Sequence, residues 1–178
     1  MGDNGTLWTL AIAAVTGGTA VLASWVTGRG SARAATIQAE TAARTQRAER
    51  LRESRRTAYL DLIEQAHRMG ELYWETSALL RRPDSPERLA TLRELHDREI
   101  TEYARIRRCA RVVELEGPPA AATAALSLQK ATGPFFTGIT TELAGDPTGR
   151  DHLDAAYHPF WQALEHFVDA ARAAHQRE

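Results

Sequence analysis

The fold of this chain depends first on residues 7–26, which read LWTLAIAAVTGGTAVLASWV. These twenty residues contain no charged side chain, and the nearest charges are Asp3 before them and Arg29 after them. A helix of about twenty residues crosses the roughly 30 Å hydrocarbon layer of a bilayer. Because lipid offers no partner for backbone N–H and C=O groups, such a stretch must be helical. We therefore predict a single N-terminal transmembrane helix.

The flanks of this stretch predict its orientation. Trp8 and Trp25 lie near its two ends, where indole favours the membrane interface. Residues 1–6 carry no Lys or Arg, whereas residues 29–56 carry eight Arg and three Glu. Because basic flanks stay in the cytoplasm, we predict a cell (plasma) membrane protein with a short extracytoplasmic tail (1–6) and a cytoplasmic C-terminal part. Arg29 and Arg33 would lie at the inner interface.

Two questions about the apolar stretch stay open. A signal peptide cleaved before Ser24 is an alternative to an anchor, although the stretch lacks the basic n-region of signal peptides. Small residues spaced by four would let two copies pack closely, and a span that makes no specific dimer fits the same residues. The small residues that would form this contact are Ala13, Ala14, Gly17 and Gly18.

The charge of the chain is distributed unevenly. The net charge is −1, but residues 29–56 carry eight Arg against three Glu, and residues 57–178 carry fourteen basic against nineteen acidic residues. The basic charge is therefore local to the membrane flank, which argues against a broadly basic nucleic-acid binder. Cys109 is the only cysteine, so an intrachain disulfide is excluded, as is usual in a reducing cytoplasm.

Residues 27–56 are predicted to form an Arg- and Ala-rich helical stalk. Ser31 can cap this helix, and no Pro or Gly follows until Gly70. The stalk is interpreted as solvated, with adhesion to anionic lipid head groups as the second interpretation and nucleic-acid binding as the least favoured. Its only large aliphatic residues, Ile37 and Leu51, form no coiled-coil heptad, although association through Ala stays open. The arginines of its basic stripe are Arg33, Arg44, Arg47 and Arg55.

Residues 57–178 are predicted to form one cytoplasmic domain, an antiparallel four-helix bundle. Helical periodicity covers residues 55–82, 86–116, 119–144 and 150–176, and short loops join these segments. Ser85 is predicted to cap the second helix, and Gly117 begins the break that follows it. Pro134 and Pro159 are each expected to kink or break their helices. The fold class is therefore all-α.

The apolar residues at helical spacing predict which side chains face the core of the bundle. The residues are Tyr59, Leu62, Ile63, Ala66, Met69, Tyr73 and Leu80 in the first helix; Leu89, Leu92, His96, Ile100, Tyr103, Ile106, Ala110 and Val113 in the second; Leu128, Thr132, Phe135, Phe136, Ile139 and Leu143 in the third; and Leu153, Tyr157, Phe160, Leu164, Phe167, Val168 and Ala171 in the fourth.

Catalytic and metal-binding patterns are weak in this sequence. Di-iron bundles use two Glu-x-x-His motifs, and only the pair Glu64 and His67 fits that spacing. His152, His158 and His166 of the last helix are six and eight residues apart, whereas helical zinc ligands are spaced by three or four. Arginines around Cys109 could lower its pKa, but no motif supplies a base. We predict no enzyme, metal site or cofactor, and keep a tethered metal- or thiol-dependent enzyme as the second alternative.

Two tryptophans of the domain predict a surface for a partner protein. Most aromatic residues of the last two helices fit the core, but Trp74 and Trp161 lie slightly off the apolar stripes of their helices. Exposed Trp is enriched at protein interfaces. Trp74 and Trp161 are therefore candidates for a partner patch.

The run GRGSAR (residues 28–33) leading to RRTAYLDL (residues 55–62) resembles small single-pass membrane proteins of Streptomyces. These include the KilB-like proteins associated with the spread of conjugative plasmids. The resemblance covers chain length, an N-terminal span, an Arg/Ala-rich stalk and a helical remainder. It implies an accessory role in plasmid spread and carries no catalytic residue to this chain.

The leading hypothesis is a membrane-anchored helical scaffold or interaction module that recruits a cytoplasmic protein. The first alternative is a membrane-active effector whose Gly-rich span oligomerises and perturbs the bilayer. The partners expected on the leading hypothesis are the lipid bilayer, an unidentified cytoplasmic protein and a second copy of the chain, and nucleic acid is not expected.

Overall fold

A computed structural model describes the backbone of residues 4–176 and the side chains of residues 36–176. Within this range the chain forms helices without strands, so the all-α prediction is confirmed. The chain divides into two compact units, residues 1–49 and 50–178. The helices are α1 (Asn4–Leu80), α2 (Pro86–Glu116), α3 (Pro119–Lys130), α4 (Gly133–Leu143) and α5 (Thr148–Gln176).

In the N-terminal unit, the side chains of residues 36–49 are all exposed on α1. Glu40 and Arg44 form an ion pair of 3.7 Å one turn apart. Across the part of the chain whose side chains are described, no helix is both long and apolar enough to cross a bilayer. The predicted span, 7–26, lies outside those side chains. So do the predicted span contacts and interface residues, which are Trp8, Ala13, Ala14, Gly17, Gly18, Trp25, Arg29 and Arg33.

In the unit of residues 50–178, α1 and α2 run antiparallel. The guanidinium of Arg55 donates to the carbonyl of Glu116 at 2.6 Å, where α2 ends. Later in α1 and earlier in α2, Arg98 bonds Glu75 at 2.7 Å, as the antiparallel order requires. The unit of residues 50–178 therefore includes residues 50–56, which we predicted to belong to the stalk.

The remaining helices complete an up-down-up-down bundle. Gln129 at the end of α3 donates to the hydroxyl of Tyr103 in the middle of α2 at 2.9 Å. α5 runs antiparallel to α1, because Tyr59 meets Phe167 edge to face while Tyr73 meets Phe160. The third predicted helix is divided into α3 and α4. The bundle therefore has four helical segments in antiparallel order, and the third segment consists of two shorter helices.

Local sequence signals explain the helix ends. Ser85 accepts a hydrogen bond from the backbone N–H of Arg88 at 3.1 Å, as its predicted capping role requires. The break between α3 and α4 falls at Ala131 and Thr132, directly before Gly133 and Pro134, because proline cannot continue the α3 hydrogen-bond ladder. Pro159 lies inside α5, which continues through it to Gln176.

Two arginines cap the C-terminal end of α1. Arg88 and Arg150 both donate to the carbonyl of Leu80, one of the carbonyls that a helix end leaves unpaired. Arg88 also bonds Glu142 at 3.1 Å, and both of these side chains are nearly buried. This buried ion pair joins α2 to α4 at the end of the bundle where α1 stops.

The α4–α5 connection brings two backbones into close contact. Gly145 adopts a left-handed conformation (φ 79°) that ends α4, and Asp146 accepts from the N–H of Thr148 at 2.9 Å. A Cβ on Gly149 would lie 2.5 Å from the backbone nitrogen of Glu142. Only glycine allows the first turn of α5 to pack this closely on α4.

The core confirms most of the predicted inward faces and corrects some of them. In α1 the predicted residues are buried or half-buried, and the rings of Tyr73 and Phe135 stack face to face. Four residues predicted to face the core are exposed instead, because α2 and α4 are rotated relative to the predicted stripes and Tyr157 lies at the edge of α5. These residues are Ile100, Tyr103, Phe136 and Tyr157.

Candidate interaction site

A carboxylate lies in the middle of the core. Glu99 is only 1% exposed and occupies the face of α2 that also buries Leu95 and Ile106. His96 lies one turn before it, with its Nδ1 3.6 Å from Oε2 of Glu99, which is longer than a hydrogen bond. Tyr73 reaches the same region from α1. We call Tyr73, His96 and Glu99 the buried acid cluster.

The buried acid cluster holds polar atoms that the described residues leave without hydrogen bonds. These are Nδ1 of His96 and Oε2 of Glu99, while the hydroxyl of Tyr73 has only Thr132 beside it. Burial raises the pKa of Glu99 to about 7, because an ionised carboxylate loses hydration in the core. Burial also raises the pKa of Tyr73, and the negative charge of Glu99 adds to this. Glu99 can therefore hold a proton at neutral pH, which keeps a charge out of the core.

An apolar notch lies on the surface between α2 and α4. It surrounds a cavity of about 280 Å³ and consists of Ile100, Tyr103, Gly133 and Phe136. Ile100, Tyr103 and Phe136 are 49%, 37% and 46% exposed. The ring of His96 lies 5.2 Å from the ring of Phe136, so the notch and the buried acid cluster are in contact.

The outer face of α4 extends the apolar character of the notch. The hydroxyls of Thr137 and Thr140 donate to the carbonyls of Gly133 and Phe136 one turn earlier. These hydroxyls are therefore already used, and the methyl groups contribute to the surface. Glu142 is the only charged residue of α4, and it is engaged by Arg88. The surface beside the notch consequently carries no charge from α4.

The two tryptophans of the predicted partner patch have different surroundings. Trp74 is 61% exposed and borders a groove of about 320 Å³ between α1 and α2, beside the ion pair of Glu75 and Arg98. Trp161 is half-buried on the core, where its ring meets His67 at 6.0 Å. A Cβ on Gly70 would lie 2.6 Å from this ring, so Trp161 fills the space that the glycine leaves.

The weak catalytic and metal motifs are not assembled into a site. Glu64 pairs with Arg68, and Nδ1 of His67 lies 2.8 Å from the carbonyl of Ile63 on its own helix. Within residues 36–176 there is no group of three acidic, His or Cys side chains that could hold a metal. Burial and the charge of Asp61 raise the pKa of Cys109, and the opposing effect of Arg108 is smaller.

Sequence reasoning missed Glu99 and the notch, although a signal for the acid was present. Glu99 follows Leu95 by four residues and precedes Ile106 by seven, which places a charge within the apolar face of α2. The predicted apolar stripe of α2 included the neighbouring Ile100 in place of Glu99. The predicted inward face of α2 was therefore displaced by one residue at this position. No sequence signal distinguishes an exposed Phe136 from a buried Phe135, because both fit a helix that is apolar on most sides.

Comparisons with protein-family models, with curated proteins and with solved structures found no match.

Proposed function

We propose that this chain is a membrane-anchored interaction module that recruits a cytoplasmic protein through its helical bundle. The observation that carries the proposal is the apolar notch, where three large side chains are exposed together instead of packing in the core. Exposed apolar residues that cluster in a concave surface are typical of protein interaction sites, whereas singly scattered ones are not.

The notch is prepared for a partner before binding. The hydroxyl of Tyr103 is fixed by Gln129, and Phe136 rests against the ring of His96. Fixed side chains lose little conformational freedom when a partner binds, which favours affinity. The occupant that fits is an apolar side chain of a protein segment, with the uncharged outer face of α4 beside it. Trp74, on the α1–α2 side, supplies a second anchor for a larger partner.

The anchor in this proposal is the uncharged stretch of residues 7–26, followed by the stalk of residues 27–56. Its length matches a bilayer, and the eight arginines that follow it favour a cytoplasmic domain. The resemblance to small single-pass Streptomyces proteins supports plasmid spread as the process, with the domain recruiting another component to the membrane.

Site-specific photo-crosslinking in cells tests the recruitment. A photoreactive amino acid replaces Phe136 in the full chain, and the matched control carries it at Tyr157, which is also an exposed aromatic residue but lies on α5. We expect one crosslinked protein from position 136, weakened at least several-fold by Ile100→Asp, and none from position 157. Equal crosslinking from positions 136 and 157 would contradict the notch as the binding site. So would a crosslinked product whose amount does not fall with Ile100→Asp.

Further measurements test the membrane anchor and distinguish the effector alternative from recruitment. A reporter fused to the C-terminus reads whether that end is cytoplasmic, and extraction in carbonate reads whether the chain is integral to the membrane. Expression of residues 1–56 alone tests the effector alternative, which requires depolarised cells. Recruitment without depolarisation supports the module, and depolarisation without a crosslinked partner supports the effector.

A further inference from the structure

The last four turns of α2 carry a dense group of arginines on the surface. Arg105, Arg107, Arg108 and Arg111 fall within seven residues, and all four are exposed. Arg105 and Arg111 form ion pairs with glutamates one turn away on the same helix. Arg107 and Arg108 have no ion pair among the residues whose side chains are described, so their charge is available to a ligand.

An exposed leucine lies beside these arginines. Leu115 is 86% exposed, and it follows Arg111 by four residues and Arg108 by seven, so the three side chains share one face of α2. Val112 lies next to this face in the same helical turns and is also exposed. We call Arg107, Arg108, Arg111 and Leu115 the arginine face.

The arginine face belongs to the basic end of the bundle. Residues 105–116 contain four Arg against two Glu, and residues 50–56 contain four Arg against one Glu. The two stretches meet, because Ser54 donates to Glu116 at 2.6 Å and a groove is lined by both Arg50 and Val112. The α4–α5 connection and the start of α5 lie at the opposite end, and residues 142–154 contain four acidic residues against one Arg.

We propose that the arginine face docks the bundle onto an anionic lipid surface. The inference rests on the proposed function, since an anchor at residues 7–26 tethers the domain to a bilayer. About 28 residues of α1, roughly 40 Å of helix, separate residue 26 from Ser54 beside the arginine face, so docking requires the stalk to tilt toward the membrane surface. Guanidinium groups bind lipid phosphates, and an anionic leaflet attracts each basic side chain at its surface. Leu115 inserts between the head groups, in the way that apolar residues of basic interfacial helices do.

The exposed leucine distinguishes a lipid surface from nucleic acid. Phosphate contacts to nucleic acid require basic and polar groups, and single strands add stacking on aromatic rings. The arginine face offers an aliphatic side chain and no aromatic ring. The arginine face therefore fits a lipid surface, which binds both basic side chains and aliphatic side chains. In this arrangement the basic end of the bundle faces the bilayer.

The test uses the full chain reconstituted in vesicles. The native thiol is removed by Cys109→Ala, Leu115→Cys carries an environment-sensitive dye, and the vesicles contain phosphatidylcholine alone or mixed with phosphatidylglycerol. We expect blue-shifted dye emission and quenching by a lipid-borne quencher only in the anionic vesicles, and loss of both in high salt. The double variant Arg107→Gln/Arg108→Gln should weaken docking roughly thirty-fold, because two basic side chains contribute about 2 kcal/mol.

The matched control removes the same charge elsewhere. Arg81→Gln/Arg93→Gln changes two exposed arginines far along the bundle and should leave the dye signal unchanged. Flotation of the vesicles in high salt reports the anchor separately, so a chain that does not float contradicts the proposed function itself. A chain that floats but gives the same dye signal in both lipids overturns the docking proposal. A dye response to added RNA or DNA in place of anionic lipid overturns it in favour of nucleic acid.

Discussion

Replacing Glu99 by glutamine should remove a specific pH dependence of stability. The pKa of Glu99 is about 7 in the folded protein against 4.5 for an ordinary glutamate. Below the lower value the carboxyl is protonated in both states and burial carries no charge penalty. Between the two values the unfolded chain releases the proton while the folded chain keeps it, so the free energy of unfolding falls as pH rises. Above about pH 7 the full penalty is present.

The size of the effect follows from the difference between the two pKa values. Each unit corresponds to about 1.36 kcal/mol, so the folded protein loses about 3 kcal/mol of stability between about pH 4.5 and pH 8 because of Glu99 alone. His96 and Tyr73 are the titratable groups that face this carboxyl in the buried acid cluster. A protonated His96 would stabilise ionised Glu99 and reduce the effect, which makes the figure an upper value.

Urea unfolding followed by circular dichroism over this pH range measures the effect. The difference in the free energy of unfolding between wild type and Glu99→Gln isolates the carboxyl of Glu99 together with its interaction with His96, since the titrations of groups that do not interact with Glu99 cancel. Glu94→Gln is the matched control, because Glu94 is exposed on the same helix. We expect the difference to change by about 3 kcal/mol for Glu99→Gln and to stay constant for the control. Parallel curves for wild type and Glu99→Gln would refute a raised pKa at this position.

Three further predictions concern packing, the buried ion pair and the thiol. Gly149→Ala should destabilise the domain by about 3 kcal/mol in urea unfolding, because the added Cβ meets the backbone of α4, whereas Gly133→Ala, with nothing within 4 Å, should be neutral or slightly stabilising. Glu142→Gln should cost about 2 kcal/mol in thermal unfolding by leaving a nearly buried arginine without its main partner, and Asp84→Asn, at the exposed end of the same network, should change stability by less than about 0.5 kcal/mol. Cys109 should react with a thiol reagent at neutral pH at least about ten-fold more slowly in the folded than in the urea-unfolded chain, since burial raises its pKa, and equal rates would show an accessible thiol.

The helix ends of the domain could be predicted from the sequence because local residues determine them. Ser85 caps α2 through its own side chain, and Pro134 stops α3 through its missing N–H. Both effects act within a few residues and need no knowledge of the neighbouring helices. The inward face of α1 could also be predicted, since three of the four exposed residues between Arg68 and Glu75 are charged and only Trp74 is apolar.

The rotation of α2 could not be predicted in the same way. Helix α2 packs against α1 on one side and against α3 and α4 on the other. Glu99 and Ile100 are adjacent in this helix, and the sequence allows either side chain to face the core of the bundle. The helical pattern favours burying Ile100, but the contacts of the bundle bury Glu99, which keeps its proton near neutral pH. The candidate notch follows from this rotation, so it depends on tertiary contacts that a single sequence does not reveal.

The glycine contact between α4 and α5 has a consequence for how the domain folds. Gly138 and Gly149 are separated by only eleven residues, yet a Cβ on Gly149 would lie 2.8 Å from the carbonyl oxygen of Gly138. Contacts so close in sequence close a short loop and lose little chain entropy. We therefore expect this helical hairpin to form early in folding, and the contacts between α1 and α5, such as Tyr59 with Phe167, to form later.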